Sequence, residues 1–269
     1  MDDSWATVVA LAGDRDLGAT DTTIRAAQAL AQLPRAEVAD AMETLLRGHP
    51  CMAPLWRLAS ILISERDHSA AVERFTADLE DHALAADAVA SVLPDTVLTI
   101  SWSATVARAI EVRRPSAVVC MASEPGGEGA RMAEAIRQWT HASVIPDADA
   151  LTTLPAQAVL VGADAVSPRS VVNKVKTHEL ADAAAQRHMP RYAVAGSSKL
   201  VPMELPMVEP FQATPIALFS QIATPGGLSD PILTAARAAA IGVHPALVML
   251  AEVMEREGPQ AAEGSFTTG

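Results

Sequence analysis

The sequence predicts an α/β protein in which a helical domain, residues 1–92, precedes a parallel-sheet domain, residues 93–269. Apolar residues repeat at helical spacing through the first ninety residues, whereas short apolar runs alternate with longer amphipathic segments after Pro94. Only 3% of the chain is aromatic although 50% is hydrophobic. Alanine and the aliphatic residues must therefore form the core, a composition that suits helices packed closely on each other or on a parallel sheet.

Three apolar stripes predict helices in the first domain. In each of them the apolar residues recur three and four positions apart, which places them on one helical face. The three sets are Val38, Ala41, Met42, Leu45 and Leu46; Leu55, Leu58, Ala59, Leu62 and Ile63; and Ala71, Val72, Phe75 and Leu79. Because proline interrupts helical hydrogen bonding, Pro34 and Pro50 predict breaks between antiparallel helices over residues 20–91.

Five short apolar runs, bounded by turn residues or charges, predict buried strands. They are residues 96–100, 117–121, 142–145, 158–161 and 192–195. Helices are predicted between them at 102–112, 127–139 and 172–188. This alternation predicts a parallel sheet with crossover helices, and such sheets bind ligands beyond the carboxyl ends of their strands. The polar residues at that edge are Ser101, Ser123, Glu124, Asp147 and Asp164.

The end of the chain predicts two more helices, at 231–237 and 245–256, and a frayed terminus at 258–269.

The composition of the chain excludes several classes of function. A net charge of −12 with scattered basic residues opposes binding to nucleic acid or to an anionic membrane. The two cysteines, Cys51 and Cys120, are too few and too far apart for a disulfide framework or a zinc site, and no cofactor is expected. The acidic N-terminus lacks a signal-peptide pattern and no apolar run could span a bilayer, so a cytoplasmic location is expected.

Asp164 is the strongest candidate for a functional residue. It follows a buried strand and the pair Gly162-Ala163, where glycine permits close approach of a ligand to the backbone. The alternative is that Asp164 caps a turn or the next helix. Gly126-Gly127 precede a predicted helix, and such a turn suits a phosphate because the helix N-terminus carries free N–H groups. A simple strand-to-helix loop is the alternative there.

Four other residues are weaker candidates for a functional role. Ser101, at the end of the first strand, could be a nucleophile, an anion ligand or a helix cap. Lys199, beyond the last predicted strand, could bind an anion or lie in a solvated turn. Cys51 has apolar neighbours and is expected to be an interior thiol, and His178 is expected to be a surface or packing residue.

Most of the chain resembles one protein superfamily. Val161-Gly162-Ala163-Asp164, the segment 172–181 and the segment 190–199 resemble its GAD motif, its NK-G-T helix start and its strand followed by serine and lysine. Residues 98–106 and 122–131 resemble its L-T-H-[SC]-N-S-x-T-V and E-S-R-P…G-R elements. The superfamily contains the α, β and δ subunits of translation initiation factor 2B, methylthioribose-1-phosphate isomerase and ribose-1,5-bisphosphate isomerase. The resemblance covers about residues 20–225.

The resemblance implies a helical domain followed by a Rossmann-like domain of the NagB/RpiA/CoA-transferase type, with dimerisation or higher homo-oligomerisation through the latter. It implies catalytic positions at Asp164 and Ser101 and a small phosphorylated metabolite as ligand. Ligand-binding positions are expected at Ser103, Ser123, Glu124, Gly126, Gly127, Arg131, Gly162, Asn173, Lys174, Lys176 and Lys199.

Several residues depart from the isomerase pattern. They are Ile100 for histidine, Ser101 for cysteine, Trp102 for asparagine, Glu124 for arginine and Lys176 for glycine. A serine hydroxyl has a pKa far above 7 and is a poor substitute for a thiol in acid–base work. Glu124 reverses the charge beside a phosphate unless Arg131, Lys174 or Lys176 compensates. The family's Arg-Gly-Ala phosphate element has no clear counterpart, and the segment 24–27 is its nearest remnant.

Three functions follow as hypotheses. The first is an initiation factor 2B-like protein that binds a sugar phosphate or nucleotide in a regulatory or assembly role. The second is an aldose–ketose isomerase of the ribose-1,5-bisphosphate or methylthioribose-1-phosphate type, with Asp164 as acid/base. The third is a different reaction in which Glu124 and Asp164 face one pocket, because two such carboxylates can divide acid and base roles.

Overall fold

The computed structural model describes residues 3–15 and 17–258 of the 269-residue chain. Five helices form the N-terminal part: α1 Asp3–Gly13, α2 Ala19–Gln32, α3 Arg35–Gly48, α4 Ala53–Ser64 and α5 His68–Leu79. The helices that the three apolar stripes predict are confirmed as α3, α4 and α5, and the stripes face a shared core except at Ile63, which is exposed. Gly48 closes α3 where α1 crosses it, since a Cβ at this glycine would lie 2.3 Å from the carbonyl oxygen of Ala12.

The larger sheet has seven strands in the order β10-β9-β7-β4-β1-β2-β3. Its strands are β1 Thr96–Thr99, β2 Ala117–Met121, β3 His141–Ile145, β4 Ala158–Gly162, β7 Arg191–Val194, β9 Gln221–Thr224 and β10 Gly227–Ser229. All neighbours are parallel except β9 and β10. The five predicted strands are therefore confirmed as β1, β2, β3, β4 and β7.

A second sheet of three antiparallel strands was not predicted. It contains β5 Ala165–Val166, β6 Ser170–Lys174 and β8 Phe211–Pro215 in the order β5-β6-β8. The predicted helix at 172–188 is therefore wrong in its first part, and the helix α10 occupies Thr177–Gln186. Every residue of β6 is buried, because β5, β8 and the N-terminal helices cover it. Its sequence therefore shows no alternation of apolar and polar residues.

Helices cover both faces of the larger sheet. They are α6 His82–Ala90, α7 Ala104–Arg113, α8 Glu128–Ile136, α9 Asp147–Thr153, α10 and α11 Pro231–Ala239. Along β4, Leu160 contributes to the apolar cluster on one face, and Val159 and Val161 to the cluster on the other. The sheet is thus buried on both faces, as its apolar strands require. Among the described residues, no helix is long and apolar enough to cross a membrane.

Two helices pack across the predicted domain division. The helix α6 precedes residue 93 in the chain, but its Ala85, Ala86 and Val89 belong to the apolar cluster of the larger sheet. The last described helix, α12 Pro245–Glu257, packs Leu247 and Ala251 into the core of the N-terminal helices. The helices predicted at 231–237 and 245–256 are confirmed as α11 and α12. The division at residue 92 stays a prediction, and the frayed terminus predicted at 258–269 lies outside the described residues except for Gly258.

Candidate functional site

A cleft lies at the carboxyl edge of the larger sheet, between that edge and the N-terminus of α2. Its walls come from the end of β4, the start of α7, the second sheet and the turn after β7. The lining residues are Gly18, Ala19, Thr20, Asp21, Trp102, Ser103, Ala104, Thr105, Gly162, Ala163, Asp164, Asn173 and Lys199. Five of the residues predicted for ligand binding or catalysis therefore meet here: Ser103, Gly162, Asp164, Asn173 and Lys199.

Asp164 connects β4 to β5, and its backbone is held at both groups. Its N–H donates to the carbonyl of Val172 at 2.8 Å, and its own carbonyl accepts the N–H of Ala53, the first residue of α4, at 3.0 Å. No hydrogen bond from another described residue reaches the carboxylate, so Asp164 caps neither a turn nor a helix there. Burial raises the pKa of Asp164, and the charge of Lys199 opposes this increase only in part.

Lys199 ends a short 3₁₀ turn after β7. Its side chain is buried, and its Nζ donates to the carbonyl of Ala163, next to Asp164. Burial lowers the pKa of Lys199, while Asp164 acts in the opposite direction. The turn itself is anchored by Asp81, whose carboxylate accepts the N–H of Ser197 at 3.1 Å. The cleft therefore contains a lysine and an aspartate whose charged forms are both disfavoured by burial.

Close packing fixes the wall formed by Ser103 and Gly162. Ser103 is the N-cap of α7, and its Oγ accepts the N–H of Val106 at 3.3 Å. A Cβ at Gly162 would lie 2.6 Å from that Oγ, so a glycine is required where β4 passes the helix start. Asn173 lies on the opposite side, and its Nδ2 donates to Thr177 Oγ1 at 3.2 Å.

Three of the remaining predicted residues, Ser123, Glu124 and Lys176, form a separate cluster around Asp147, the first residue of α9. The N–H groups of Ser123 and Glu124 donate to its two carboxylate oxygens at 2.7 and 2.9 Å, and Lys176 Nζ lies 2.5 Å from Oδ2. Burial alone would raise the pKa of Asp147, but these donors together hold it below its ordinary value. The donor set therefore already surrounds an anion, which is a side chain of the protein itself.

The glycine-rich turn before α8 is also occupied by a carboxylate of the chain. Gly126 and Gly127 have positive φ values of 112° and 69°. The carboxylate of Glu128 lies against Gly126, and it pairs with the buried Lys174 at 2.6 Å. Lys174 and Lys176 are thus both neutralised by carboxylates and do not line the cleft.

Ser101 and Glu124 lie outside the cleft. Ser101 has a φ of 65°, and its N–H donates to the Oγ of the buried Ser123 at 2.8 Å. Glu124 lines a second, open groove together with Lys176 and Glu209. Since Glu124 and Asp164 face different spaces, the geometry opposes the hypothesis of a shared carboxylate pair. Arg131 is not among the lining residues of the cleft either. Its guanidinium lies over the ring of Trp102, 4.4 Å from the centroid.

The model of the initiation factor 2 subunit family matches residues 16–212. The chain belongs to this family. A comparison with curated protein sequences finds no match.

Solved structures of family members have the same fold. A Pyrococcus horikoshii OT3 translation initiation factor eIF-2B is 23% identical, with a TM-score of 0.75 over 86% of this chain and 98% of that one. The eIF2B beta of Chaetomium thermophilum is 18% identical, with a TM-score of 0.67 over 91% and 92% of the two chains. A 5-methylthioribose 1-phosphate isomerase from P. horikoshii OT3 is also 18% identical, with a TM-score of 0.61 over 87% of each chain. These likenesses confirm the α/β architecture, and the family model confirms the resemblance found in the sequence.

The structure adds a part of the cleft that the sequence analysis missed. Gly18 and Ala19 line the cleft at the start of α2, preceded by Leu17. The segment 24–27 lies within α2, and its Arg25 is exposed. The available signal was the pair Gly-Ala directly before an amphipathic helix.

Cys51, by contrast, was interpreted correctly. Its thiol is buried near Asp164 and donates to the carbonyl of Pro206 at 3.3 Å. Burial raises its pKa to about 12, and Asp164 adds to the increase. Burial likewise raises the pKa of Cys120 to about 12. Neither thiol is therefore an activated nucleophile. No group of three or more His, Cys, Asp or Glu residues within 3–15 and 17–258 is arranged to hold a metal ion.

Proposed function

We propose that this protein is an initiation factor 2B-like protein that binds a small phosphorylated metabolite in the cleft, in a regulatory or assembly role. The observation that carries the proposal is the uncapped N-terminus of α2. Its N-cap is Gly18, and among residues 3–15 and 17–258 no side chain caps its first turn with a hydrogen bond. The start of α7 enters the same cleft from the other wall.

These features suit a phosphate for electrostatic reasons. A helix N-terminus carries the equivalent of about half a positive charge, together with N–H groups that have no partner in the helix. The 14-residue helix α2 presents such a terminus to the cleft. Lys199 supplies an amino group on the other side, whereas Lys174 and Lys176 are already paired. A phosphate at α2 would leave the rest of the metabolite facing Asp164 and Asn173.

The proposal includes homodimerisation and a cytoplasmic location. Support for self-association comes from the solved structures with this fold, one of which is a tetrameric eIF2B-beta2-delta2 complex from C. thermophilum. The net charge of −12 is compatible with protein partners and with small ligands but not with non-specific nucleic-acid binding. Analytical ultracentrifugation of the full chain should give a dimer, and a monomer at all concentrations would contradict this part of the proposal.

The ligand is tested by thermal shift with inorganic phosphate, ribose 5-phosphate and a nucleoside monophosphate. At a ligand concentration of 100 times Kd the expected stabilisation is about 2.7 kcal/mol. The decisive variant is Gly18→Asp, which places a carboxylate at the N-cap of α2. Gly18 has an extended backbone, and a Cβ there would meet Trp102 only at 3.7 Å, so the substitution fits.

Gly18→Asp should stabilise the protein by roughly a few tenths of a kcal/mol and abolish the response to phosphate, because the new side chain occupies the N–H groups. Pro34→Asp is the matched control, since it adds a carboxylate to the exposed and uncapped start of α3, away from the cleft. The control should keep the response. A wild-type protein that none of the three ligands stabilises would refute the proposal.

Asp164 supports one alternative, the aldose–ketose isomerase. A carboxyl group whose pKa is raised by burial can act as an acid or a base in a cleft of this kind. Turnover of ribose 1,5-bisphosphate or methylthioribose 1-phosphate that is lost in Asp164→Asn would establish this activity. Ser101 weighs against it, because the hydroxyl replaces a thiol and lies outside the lining of the cleft. An absence of turnover over a panel of sugar phosphates would exclude the alternative.

A further inference from the structure

The chain has only three lysines, and all of them lie in one region of the fold. Of the 20 lysine and arginine residues, the lysines are Lys174, Lys176 and Lys199, and all other cationic positions are arginine. All three lysines lie near the carboxyl edge of the larger sheet. Where only a positive charge is needed the chain uses arginine, so these positions point to a requirement for a primary amine or for its size.

Lys199 differs from the other two lysines in its partners. Lys174 pairs with Glu128 at 2.6 Å and Lys176 pairs with Asp147 at 2.5 Å. Lys199 makes no ion pair with any described residue, and the one acceptor of its Nζ is the carbonyl of Ala163. It is also the one lysine among the lining residues of the cleft. Its amine is thus buried within the protein, faces the cleft and has no carboxylate bonded to it.

We propose, on the basis of the proposed function, that Lys199 captures the carbonyl carbon of a small phosphorylated aldehyde in the cleft as a reversible imine. The phosphate would bind at the N-terminus of α2, and the aldehyde would lie between Lys199 and Asp164. Attack on a carbonyl requires a neutral amine with a free electron pair. Burial of Lys199 favours that form, and burial of Asp164 favours the protonated acid.

The step balances without an oxidant or a reductant. The electron pair of Nζ forms the C–N bond while the C=O π bond breaks, and one proton moves from nitrogen to the carbonyl oxygen to give a carbinolamine. Asp164 then donates its proton to the hydroxyl group, which leaves as water. The product is a protonated C=N linkage on Lys199 beside the carboxylate of Asp164. Hydrolysis by the reverse path releases the aldehyde, which suits a ligand that regulates and is not consumed.

The test is borohydride trapping on the full chain with glycolaldehyde phosphate, followed by peptide mass spectrometry. Borohydride reduces the C=N bond to a stable secondary amine. The expected result is one adduct at Lys199, with Lys174 and Lys176 unmodified as internal controls in the same sample. Lys199→Arg, which keeps the charge but has no nucleophilic amine, should lose the adduct.

Arg25→Lys supplies a matched control for ordinary lysine reactivity, because residue 25 is exposed on α2. At pH 7 Lys199 should be modified faster than the lysine introduced there, since burial lowers the pKa of Lys199 and so raises the fraction of neutral amine. Modification of Lys199 no faster than this control, or no adduct at Lys199 in the folded wild-type protein, would overturn the proposal.

Unphosphorylated glycolaldehyde separates this proposal from the function on which it rests. If both proposals hold, the phosphorylated aldehyde labels Lys199 faster, and inorganic phosphate slows that labelling. If Lys199 reacts equally with both aldehydes and phosphate has no effect, the imine proposal stands and the phosphate site fails. If phosphate stabilises the protein but Lys199 forms no adduct, the phosphate site stands and the imine proposal fails.

Discussion

Two neighbouring regions at the carboxyl edge of one sheet differ in whether their charged groups have partners within the protein. Around Asp147 the carboxylate accepts two backbone N–H groups and pairs with Lys176. In the cleft, no described residue donates a hydrogen bond to the Asp164 carboxylate, and none forms an ion pair with Lys199. Buried charges normally have partners because desolvation is costly. The first region is therefore satisfied by the protein itself, and the second leaves its groups available to a ligand.

The same substitution should have opposite effects in the two regions. Asp147→Asn should destabilise the protein by about 2–3 kcal/mol, because it removes the charge that Lys176 and two backbone N–H groups surround. Asp147 has a lowered pKa in the folded state, so its contribution is complete above its ordinary pKa and is lost as pH falls through the folded value. Urea unfolding at pH 7 and pH 3 measures both effects.

Asp149→Asn is the control for this prediction. Asp149 lies two residues further along α9 and is exposed, so its substitution should change the free energy of unfolding by less than about 0.5 kcal/mol. Equal effects of the two variants would show that the cluster around Asp147 is not a stabilising unit.

The wall of the cleft should be sensitive to one methyl group. Gly162→Ala should cost about 1–2 kcal/mol, because the new Cβ would lie 2.6 Å from Ser103 Oγ at the start of α7. Gly13→Ala is the control, since a Cβ there meets nothing within 4 Å. Thermal unfolding measures the difference, and a fully stable Gly162→Ala variant would show that Ser103 can move away from β4.

Asp164→Asn should stabilise the protein by about 1 kcal/mol at pH 7, since a buried carboxylate without donors is replaced by a neutral amide. The pKa of Asp164 lies above its ordinary value of 3.8 in the folded state, so the cost of ionising it is absent below that pH and grows as pH rises towards the folded pKa. The gain in unfolding free energy should therefore disappear near pH 3. A destabilised Asp164→Asn variant would mean that Asp164 is paired like Asp147.

The smallest expected effect on stability concerns Asp81, which anchors the turn that carries Lys199. Asp81→Ala should cost about 0.5–1 kcal/mol through loss of the bond from Ser197 N–H, and it should weaken phosphate binding by displacing Lys199. Asp67→Ala removes a comparable bond, from the N–H of Ala70 at the start of α5, and should cost a similar amount. Only the first variant should change the thermal shift with phosphate. Equal phosphate affinity in both variants would contradict a positioning role for Asp81.

The elements that the sequence predicted correctly depend on local pattern. The strand β4 is a run of apolar residues between Pro155 and Asp164, and α3 has its apolar stripe between two prolines. The strand β6 could not be predicted this way, because its Asn173 and Lys174 are polar yet buried by partners that are distant in the chain. The start of α2 was missed for the same reason, since its role depends on its position opposite β4.

By itself the sequence determined that a carboxylate, Asp164, ends a buried parallel strand at the ligand edge of an α/β fold, because the apolar runs and helical stripes depend on residues that are neighbours in the chain. It also limited lysine to three positions. Only the tertiary structure decided which charges are paired, since Asp147 meets Lys176 and Glu128 meets Lys174 across long stretches of chain. Whether two charged side chains pair depends on their distance in the folded protein and not on their separation along the chain. For that reason the residues predicted for one site are divided between a self-neutralised cluster and an open cleft.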